Sequence, residues 1–102
     1  MKVTFLGVGE AFDDDNTNTC ILIEAAGRRM LVDCGATAPP SIWKQSERPD
    51  YLDGIFISHF HADHVFGLPA LMMRMQEDGR TRPFYLFGPV GTQRNIERLM
   101  EV

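Results

Sequence analysis

Short apolar runs separated by turn residues recur along the whole chain. Apolar and β-branched runs between glycine, proline and acidic turn signals are typical of strands, whereas apolar residues three and four positions apart are typical of helices. The predicted strands cover residues 3–6, 19–24, 30–33, 54–58 and 83–87, with a turn over 25–28 that makes a hairpin of the second and third. The predicted helices cover 39–45, 68–76 and a final segment after residue 89.

A hairpin followed by strands that alternate with helices indicates the α/β class, with helices covering a sheet. The 102 residues suit a single domain spanning 1–102, or part of one. A formal net charge of −4 gives no general attraction to a phosphate backbone. No apolar run approaches the ~20 residues that span a bilayer. Because the N-terminus does not have the form of a secretory signal, the two cysteines predict reduced thiols in the cytoplasm.

All three histidines of the chain lie in one six-residue segment, H-F-H-A-D-H at residues 59–64, directly after a predicted strand. Alternate residues of an extended segment point to the same side, so His59 and His61 can direct two imidazoles at one metal ion. Where the chain turns toward the next helix, Asp63 and His64 can serve a second ion. Imidazole with carboxylate suits zinc, and also iron or manganese. Unrelated surface histidines are the alternative, which the clustering with a carboxylate makes much less favourable.

The segment F-I-S-H-F-H-A-D-H at residues 56–64, continued by G-L-P at 67–69, resembles the signature of the metallo-β-lactamase superfamily, most closely its ribonuclease Z-like branch. The segments V-T-F-L-G at 3–7, M-L-V-D-C-G at 30–35 and F-Y-L-F-G-P at 84–89 agree with this resemblance. The resemblance implies the N-terminal half of an αββα sandwich. It also implies a metal-dependent hydrolase, most closely a phosphodiesterase of the ribonuclease Z type, that uses a metal-bound hydroxide.

The resemblance assigns a role to five residues of this chain. His59 and His61 would bind a first divalent ion, and Asp63 and His64 a second, with zinc expected and manganese or iron as alternatives. Asp63 would also accept a proton during catalysis. Asp33 would hold a ligand histidine by the ring nitrogen that faces away from the metal. For Asp33, a turn or helix-cap residue is the alternative interpretation.

The family pattern also requires a third histidine for the first metal, a bridging aspartate and a final histidine, all further along the chain. No histidine follows His64 here. Two protein ligands for each ion are fewer than the three of a usual catalytic zinc site. We therefore expect the N-terminal part of a longer hydrolase, inactive by itself, and in isolation a metal-binding fragment without catalysis.

The substrate stays open between several classes. Residues 10–16, E-A-F-D-D-D-N, form an acidic run where ribonuclease Z members commonly carry a basic loop with glycine and proline. Negative charge at this position should repel an RNA backbone. A small phosphodiester, a carboxylic ester, a lactone, a thioester or a sulfate ester therefore stands beside RNA as a candidate substrate.

Half of a sandwich leaves one face of its sheet without a cover. An exposed apolar face of several hundred Å² is unfavourable at ~25 cal/mol per Å². We therefore expect self-association, in which a second copy takes the place of the missing half. The residues expected on this face or on the helix-covered one are Ile21, Ile23, Leu31, Ile55 and Ile57.

Overall fold

The computed structural model describes residues 1–46 and 49–101. Its strands in this part of the chain are β1 (Lys2–Gly7), β2 (Cys20–Ala25), β3 (Arg28–Val32), β4 (Gly54–Phe56) and β5 (Tyr85–Phe87). Its α-helices there are α1 (Pro39–Trp43), α2 (Ala62–Val65), α3 (Leu68–Glu77) and α4 (Thr92–Met100), and a 3₁₀ turn covers Pro49–Tyr51. This mixed α/β architecture confirms the predicted fold class.

The strands form one sheet in the order β1-β2-β3-β4-β5. β1, β2 and β3 are antiparallel neighbours, and β3, β4 and β5 are parallel neighbours joined through helices. The tight turn between β2 and β3 is made by Ala26 and Gly27, both with positive φ, as two-residue hairpin turns require. The parallel part brings the carboxyl ends of β3, β4 and β5 to one edge of the sheet, where open α/β sheets commonly bind ligands.

One face of the sheet is covered by the helices. Leu22, Leu31, Ile55 and Leu86 lie opposite one another across four strands, and the first three are almost completely buried. Apolar side chains from the helices fill the same core, namely Ile42, Val65, Leu68, Leu71, Met75 and Ile96. The alternation of these strands therefore has its buried half toward α1, α2, α3 and α4.

The opposite face of the sheet is apolar and open. One row across the strands runs through Phe5, Ile21, Val32, Phe56 and Phe87, each paired with the next. Phe5 is 65% exposed and Phe87 52% exposed. A second row on the same face consists of Val3, Ile23, Met30, Gly54 and Tyr85. The predicted uncovered face is thus present in the structure.

The five residues expected on one face or the other divide between them. Ile21 and Ile23 belong to the open face, whereas Leu31 and Ile55 are buried under the helices. Ile57 lies just beyond β4, where it is buried and its N–H donates to the carbonyl of Phe87 at 2.7 Å. None of the helices in the described residues combines the length and the apolar character of a membrane span.

Candidate metal centre

The candidate site lies where β3 and β4 end. Asp33 follows β3 directly and adopts a left-handed backbone conformation, with φ of 62°. Its N–H donates to the carbonyl of Phe56 at 2.9 Å, which joins the end of β3 to the end of β4. A non-glycine residue in this conformation is uncommon, although aspartate tolerates it better than most, and such strain is often found at functional sites. The turn directs the Asp33 side chain toward the segment that follows β4.

Asp33 is almost completely buried and its carboxylate accepts three hydrogen bonds. Oδ1 accepts from the backbone N–H of Ser58 at 2.8 Å. Oδ2 accepts from the Ser58 hydroxyl at 2.6 Å and pairs with Nδ1 of His64 at 2.7 Å. Since a buried carboxylate needs such partners, these contacts explain how the negative charge is tolerated there. They also place Asp33 behind a predicted ligand histidine, as the resemblance implies.

The three imidazoles of the motif form one cluster. The ring centroid of His59 lies 4.7 Å from that of His61 and 4.0 Å from that of His64. His61 is still extended, with φ of −65° and ψ of 148°, and the chain enters α2 at the next residue. Because α2 begins there, Asp63 and His64 lie in a helical turn rather than in the extended segment. The structure therefore brings together all four residues predicted as ligands.

Asp63 and His64 present two donor atoms at a short distance. Nε2 of His64 lies 3.2 Å from Oδ2 of Asp63, and both side chains are largely buried. Two ligands that bind one tetrahedral zinc ion at ~2.1 Å lie about 3.4 Å from each other. The pair therefore fits a shared divalent ion. The Asp33 contact at Nδ1 fits too, because it leaves Nε2 of His64 as the nitrogen that faces Asp63.

No group of three or more His, Cys, Asp or Glu side chains within residues 1–46 and 49–101 is arranged to hold a single ion. Among the predicted ligands, Asp63 and His64 present the close donor pair, and the ring of His59 lies nearer to His64 than to His61. The cysteines do not add to them: burial raises the pKa of the Cys34 thiol well above its ordinary value and that of Cys20 to about 12, so both thiols stay protonated at neutral pH. The candidate ligands are thus nitrogen and oxygen atoms.

Backbone contacts fix the segment after β3 against the turn that carries the motif. The N–H of Cys34 donates to the carbonyl of His64 at 2.8 Å, and the N–H of Gly67 donates to the carbonyl of Cys34 at 2.9 Å. A Cβ atom at Gly35 would overlap the carbonyl oxygen of Asp63, and one at Gly67 would overlap the carbonyl oxygen of Gly35. Glycine is therefore required at both positions for this close approach.

The acidic loop begins and ends beside this segment. Asn18 is buried, and its backbone N–H donates to the Thr37 hydroxyl at 2.9 Å while its side-chain oxygen accepts from the Thr37 N–H at 3.2 Å. Within the loop, hydrogen bonds from the backbone N–H groups of Asp15 and Asn16 lower the pKa of Asp13. The loop is thus tied to the segment after Asp33, and the hydrogen bonds to Asp13 favour the ionised form of its carboxylate.

Two contributors to the site were missed by the sequence prediction. Ser58 is part of the motif segment, but the sequence shows only that a hydroxyl residue precedes the first histidine. It does not show that this hydroxyl contacts Asp33. Asn18 gave no signal, because its partner Thr37 is 19 residues away. Pairings of this kind depend on how distant segments meet.

Comparison with known proteins identifies the family. The family model described as anti-Pycsar protein Apyc1 matches residues 1–98. This chain belongs to the Apyc1 family. Among curated relatives, the ribonuclease Z of Methanosarcina acetivorans is 37% identical over 98 residues, which are 95% of this chain and 32% of that protein. The Apyc1-family chain thus spans about a third of the length of this relative.

Solved structures show the fold and the branch that the chain resembles. The structure of human tRNase Z, short form, has a TM-score of 0.85 and 34% sequence identity, and the match covers 99% of this chain and 40% of the human chain. The metallo-β-lactamase fold protein YhfI from Bacillus subtilis has a TM-score of 0.78 at 21% identity, with 94% of this chain and 39% of YhfI covered. The predicted resemblance to the metallo-β-lactamase superfamily and its ribonuclease Z-like branch is therefore confirmed. Similarity to this fold implies the use of divalent metal ions.

Proposed function

We propose that this chain forms the amino-terminal part of a divalent-metal-dependent phosphodiesterase of the ribonuclease Z type, with RNA or a smaller phosphodiester as substrate. The observation that carries the proposal is the cluster of His59, His61, Asp63 and His64 at the strand ends, with Asp33 behind it. The 34% identity to human tRNase Z over nearly the whole chain supports this class of enzyme.

The roles follow from the donor atoms. His59 and His61 would hold one ion, and Asp63 and His64 a second. Zinc is the ion that we propose, because nitrogen and carboxylate donors in small number suit it, with manganese and iron as alternatives. When bound, such ions supply Lewis-acid stabilisation of the phosphoryl oxygens and make water a better nucleophile. Asp63 would orient the attacking water and accept its proton at a carboxylate oxygen.

The donor pairs also indicate what the chain needs from elsewhere. A catalytic zinc ion usually has three protein ligands, and each pair here supplies two. The chain spans about a third of the relative from M. acetivorans. We propose that the remaining ligands belong to the part of the hydrolase outside these residues, so that turnover requires the longer protein.

Hydrolysis assays test this function. Bis(p-nitrophenyl) phosphate and p-nitrophenyl acetate are each offered with Zn²⁺ or Mn²⁺ to the chain and to the longer protein. We expect the longer protein to cleave the phosphodiester and Asp63→Ala to abolish the cleavage, whereas Glu77→Ala, an exposed carboxylate at the end of α3, should have no effect. Cleavage of the acetate alone would favour an ester hydrolase. Metal-dependent turnover of neither substrate would overturn the enzyme assignment.

The open sheet face suggests the state of the chain by itself. We propose that two copies pack these faces together, because exposed apolar patches on monomers rarely exceed a few hundred Å². Strands of six, six, five, three and three residues, at ~3.3 Å per residue and ~4.8 Å between strands, give a face of about 360 Å². Apolar patches of this size often serve as interaction sites. The face is also largely free of charged side chains. Its aromatic residues Phe5, Phe56, Tyr85 and Phe87 are each about half exposed or more.

Light scattering at micromolar concentration tests the dimer. Phe5→Glu places a charge on the open face at its β1 edge and should give a monomer. Phe12→Glu is the matched control, because Phe12 is 94% exposed but lies in the loop after β1 rather than on the sheet. A wild-type chain that is monomeric at this concentration would refute the proposed dimer.

We also propose a cytoplasmic location. Both cysteines in the described residues are free thiols, which suits a reducing compartment. Cell fractionation that found the protein in the medium or in the membrane fraction would contradict this.

A further inference from the structure

Ser58 makes two side-chain contacts that connect Asp33 to the first histidine of the motif. Its hydroxyl oxygen lies 2.6 Å from Oδ2 of Asp33 and 3.0 Å from Nδ1 of His59. Its backbone N–H also donates to Oδ1 of Asp33 at 2.8 Å. The serine is therefore held against the carboxylate at two points, with its oxygen directed at the neighbouring imidazole.

The distribution of hydrogen atoms over these contacts decides the state of His59. A serine hydroxyl has one hydrogen to donate, whereas an ionised carboxylate can only accept. The contact to Asp33 is the shorter and is charge-assisted, so the hydroxyl hydrogen lies there. The Ser58 oxygen then faces His59 with a lone pair only. A hydrogen bond at 3.0 Å consequently requires that Nδ1 of His59 carry the hydrogen.

We propose that Ser58 is a positioning residue that fixes His59 in the tautomer with hydrogen on Nδ1, and so leaves the Nε2 lone pair available to a metal ion. Asp33 thereby orients two imidazoles at once. It acts on His64 directly through Nδ1 and on His59 through the Ser58 hydroxyl. This inference rests on the proposed metal centre, because availability of Nε2 has its purpose only if these histidines are ligands.

The arrangement has a physical advantage for metal binding. A neutral imidazole without a partner exchanges between its two tautomers, and the form with hydrogen on Nε2 cannot donate that nitrogen to a metal. A hydrogen-bond acceptor behind the ring removes this form and also fixes the ring plane. Metal-binding histidines commonly use a carboxylate or a backbone carbonyl for this purpose. Here the hydroxyl of Ser58 links the Asp33 carboxylate to the ring of His59, in addition to the direct contact of Asp33 with His64.

Nitrogen-15 NMR of the metal-free chain tests the inference without any catalysis. Spectra are recorded at a pH where the imidazoles are neutral, and the shifts of Nδ1 and Nε2 report which nitrogen bears hydrogen. In the wild type we expect hydrogen on Nδ1 for both His59 and His64. A wild-type His59 with its hydrogen on Nε2 would overturn the proposal, and this result needs no variant.

Ser58→Ala and Ser58→Thr separate positioning from a merely structural role. Ser58→Ala should return His59 to a mixture of tautomers while His64, which keeps its contact with Asp33, stays unchanged as an internal control for folding. Ser58→Thr retains the hydroxyl and should restore the wild-type pattern. An unchanged His59 in Ser58→Ala would refute the role of the hydroxyl. Loss of the His64 signature as well would show that Ser58 supports the whole turn, which also contradicts the proposal.

Zinc affinity gives the second measurement, by competition with a chromophoric chelator. Ser58→Ala should weaken zinc binding by about 10-fold to 100-fold, and Ser58→Thr should stay within about 2-fold of the wild type. If the NMR result holds but zinc binds neither protein, the proposed metal centre fails while the tautomer assignment stands. If zinc binds the wild type and Ser58→Ala equally, the tautomer has no role in metal binding and the positioning proposal is wrong.

Discussion

Replacement of Asp33 tests whether one buried carboxylate holds the candidate site together. In Asp33→Ala, three donors lose their acceptor: the N–H and the hydroxyl of Ser58, and Nδ1 of His64. A hydrogen bond to a charged group contributes about 1.5–3 kcal/mol. Water can partly replace the carboxylate at Ser58, which is exposed, but less easily at His64, whose side chain is 19% exposed. Removal of the buried charge also relieves its desolvation, so the losses do not simply add.

The backbone adds a separate contribution, because Asp33 has φ of 62°. A left-handed conformation costs about 1–2 kcal/mol for a residue with a Cβ atom and almost nothing for glycine. We therefore expect Asp33→Ala to lower the free energy of unfolding by about 3 kcal/mol, and Asp33→Gly by about 1 kcal/mol less than that. Asp33→Asn keeps the side-chain shape and one acceptor, so its effect should be the smallest of the three.

Urea unfolding followed by the fluorescence of Trp43, the single tryptophan, measures these differences. Asp14→Ala is the control: it removes an exposed carboxylate and should change the free energy of unfolding by less than about 0.5 kcal/mol. If Asp33→Ala were as stable as Asp14→Ala, the hydrogen bonds to Asp33 would not stabilise the site. If the alanine and glycine variants were equally stable, the strain assigned to the backbone would be wrong.

Three further outcomes are expected. Gly35→Ala should lower the free energy of unfolding by about 2 kcal/mol in urea titrations, because its Cβ would overlap the backbone of Asp63. The control Gly27→Ala, in open space with φ of 74°, should lower it by only about 1 kcal/mol. Equal losses in the two variants would contradict the close approach at Gly35. The hydrogen bond from Arg82 lowers the pKa of Asp53, so this carboxylate contributes stability above its unfolded pKa near 4, and that stability is lost as the pH falls through the lower folded pKa. Asp53→Asn should therefore make the free energy of unfolding decline less steeply with acid. A decline as steep as that of the wild type would contradict a stabilising role of the Asp53 carboxylate. Zinc at 100 times its dissociation constant should stabilise the chain by about 2.7 kcal/mol in thermal melts. This stabilisation should disappear when a chelator is added and should be smaller in His61→Ala. A thermal melt that zinc does not change would argue against the metal site.

Much of the fold could be predicted because its signals are local. The hairpin of β2 and β3 follows from two apolar runs around a short turn, and the long helix α3 follows from its apolar spacing. The predicted strand over 30–33 nevertheless ends at Val32, since Asp33 turns into the left-handed region to meet Ser58. The helix α2 was not predicted, because its four residues are too few for a helical period to be recognised.

The division of apolar residues between the two faces needed the sheet itself. Ile21 and Leu22 are adjacent and equally apolar, yet Leu22 is buried under the helices and Ile21 belongs to the open face. Both faces of this sheet are apolar, so alternation along a strand gives no sign of its orientation. Only the pairing with β3 and the side on which the helices pack decide which residue faces which way.

The sequence predicted that the site residues lie together, but it did not predict the hydrogen bonds between them. Spacing alone indicated that His59 and His61 could converge, and in the structure both precede α2, with His61 still extended. The hydrogen bonds that orient the rings were not accessible, because Asp33 and Ser58 are 25 residues apart in the sequence. Their contact exists because β3 and β4 are parallel neighbours that end at the same edge of the sheet.

The open face and the metal centre should behave as independent features of the chain. Phe5 belongs to β1 and to the open face, whereas the imidazoles lie beyond the end of β4 and their supporting contacts come from Asp33 and Ser58. Substitutions at separate places that share no partners usually add in free energy. Phe5→Glu should therefore abolish self-association and leave the stabilisation by zinc unchanged, while His61→Ala should reduce that stabilisation in the associated chain. If loss of association also removed zinc binding, the second copy would be completing the coordination of the metal, and the two-ligand pairs of one chain would not be the binding unit.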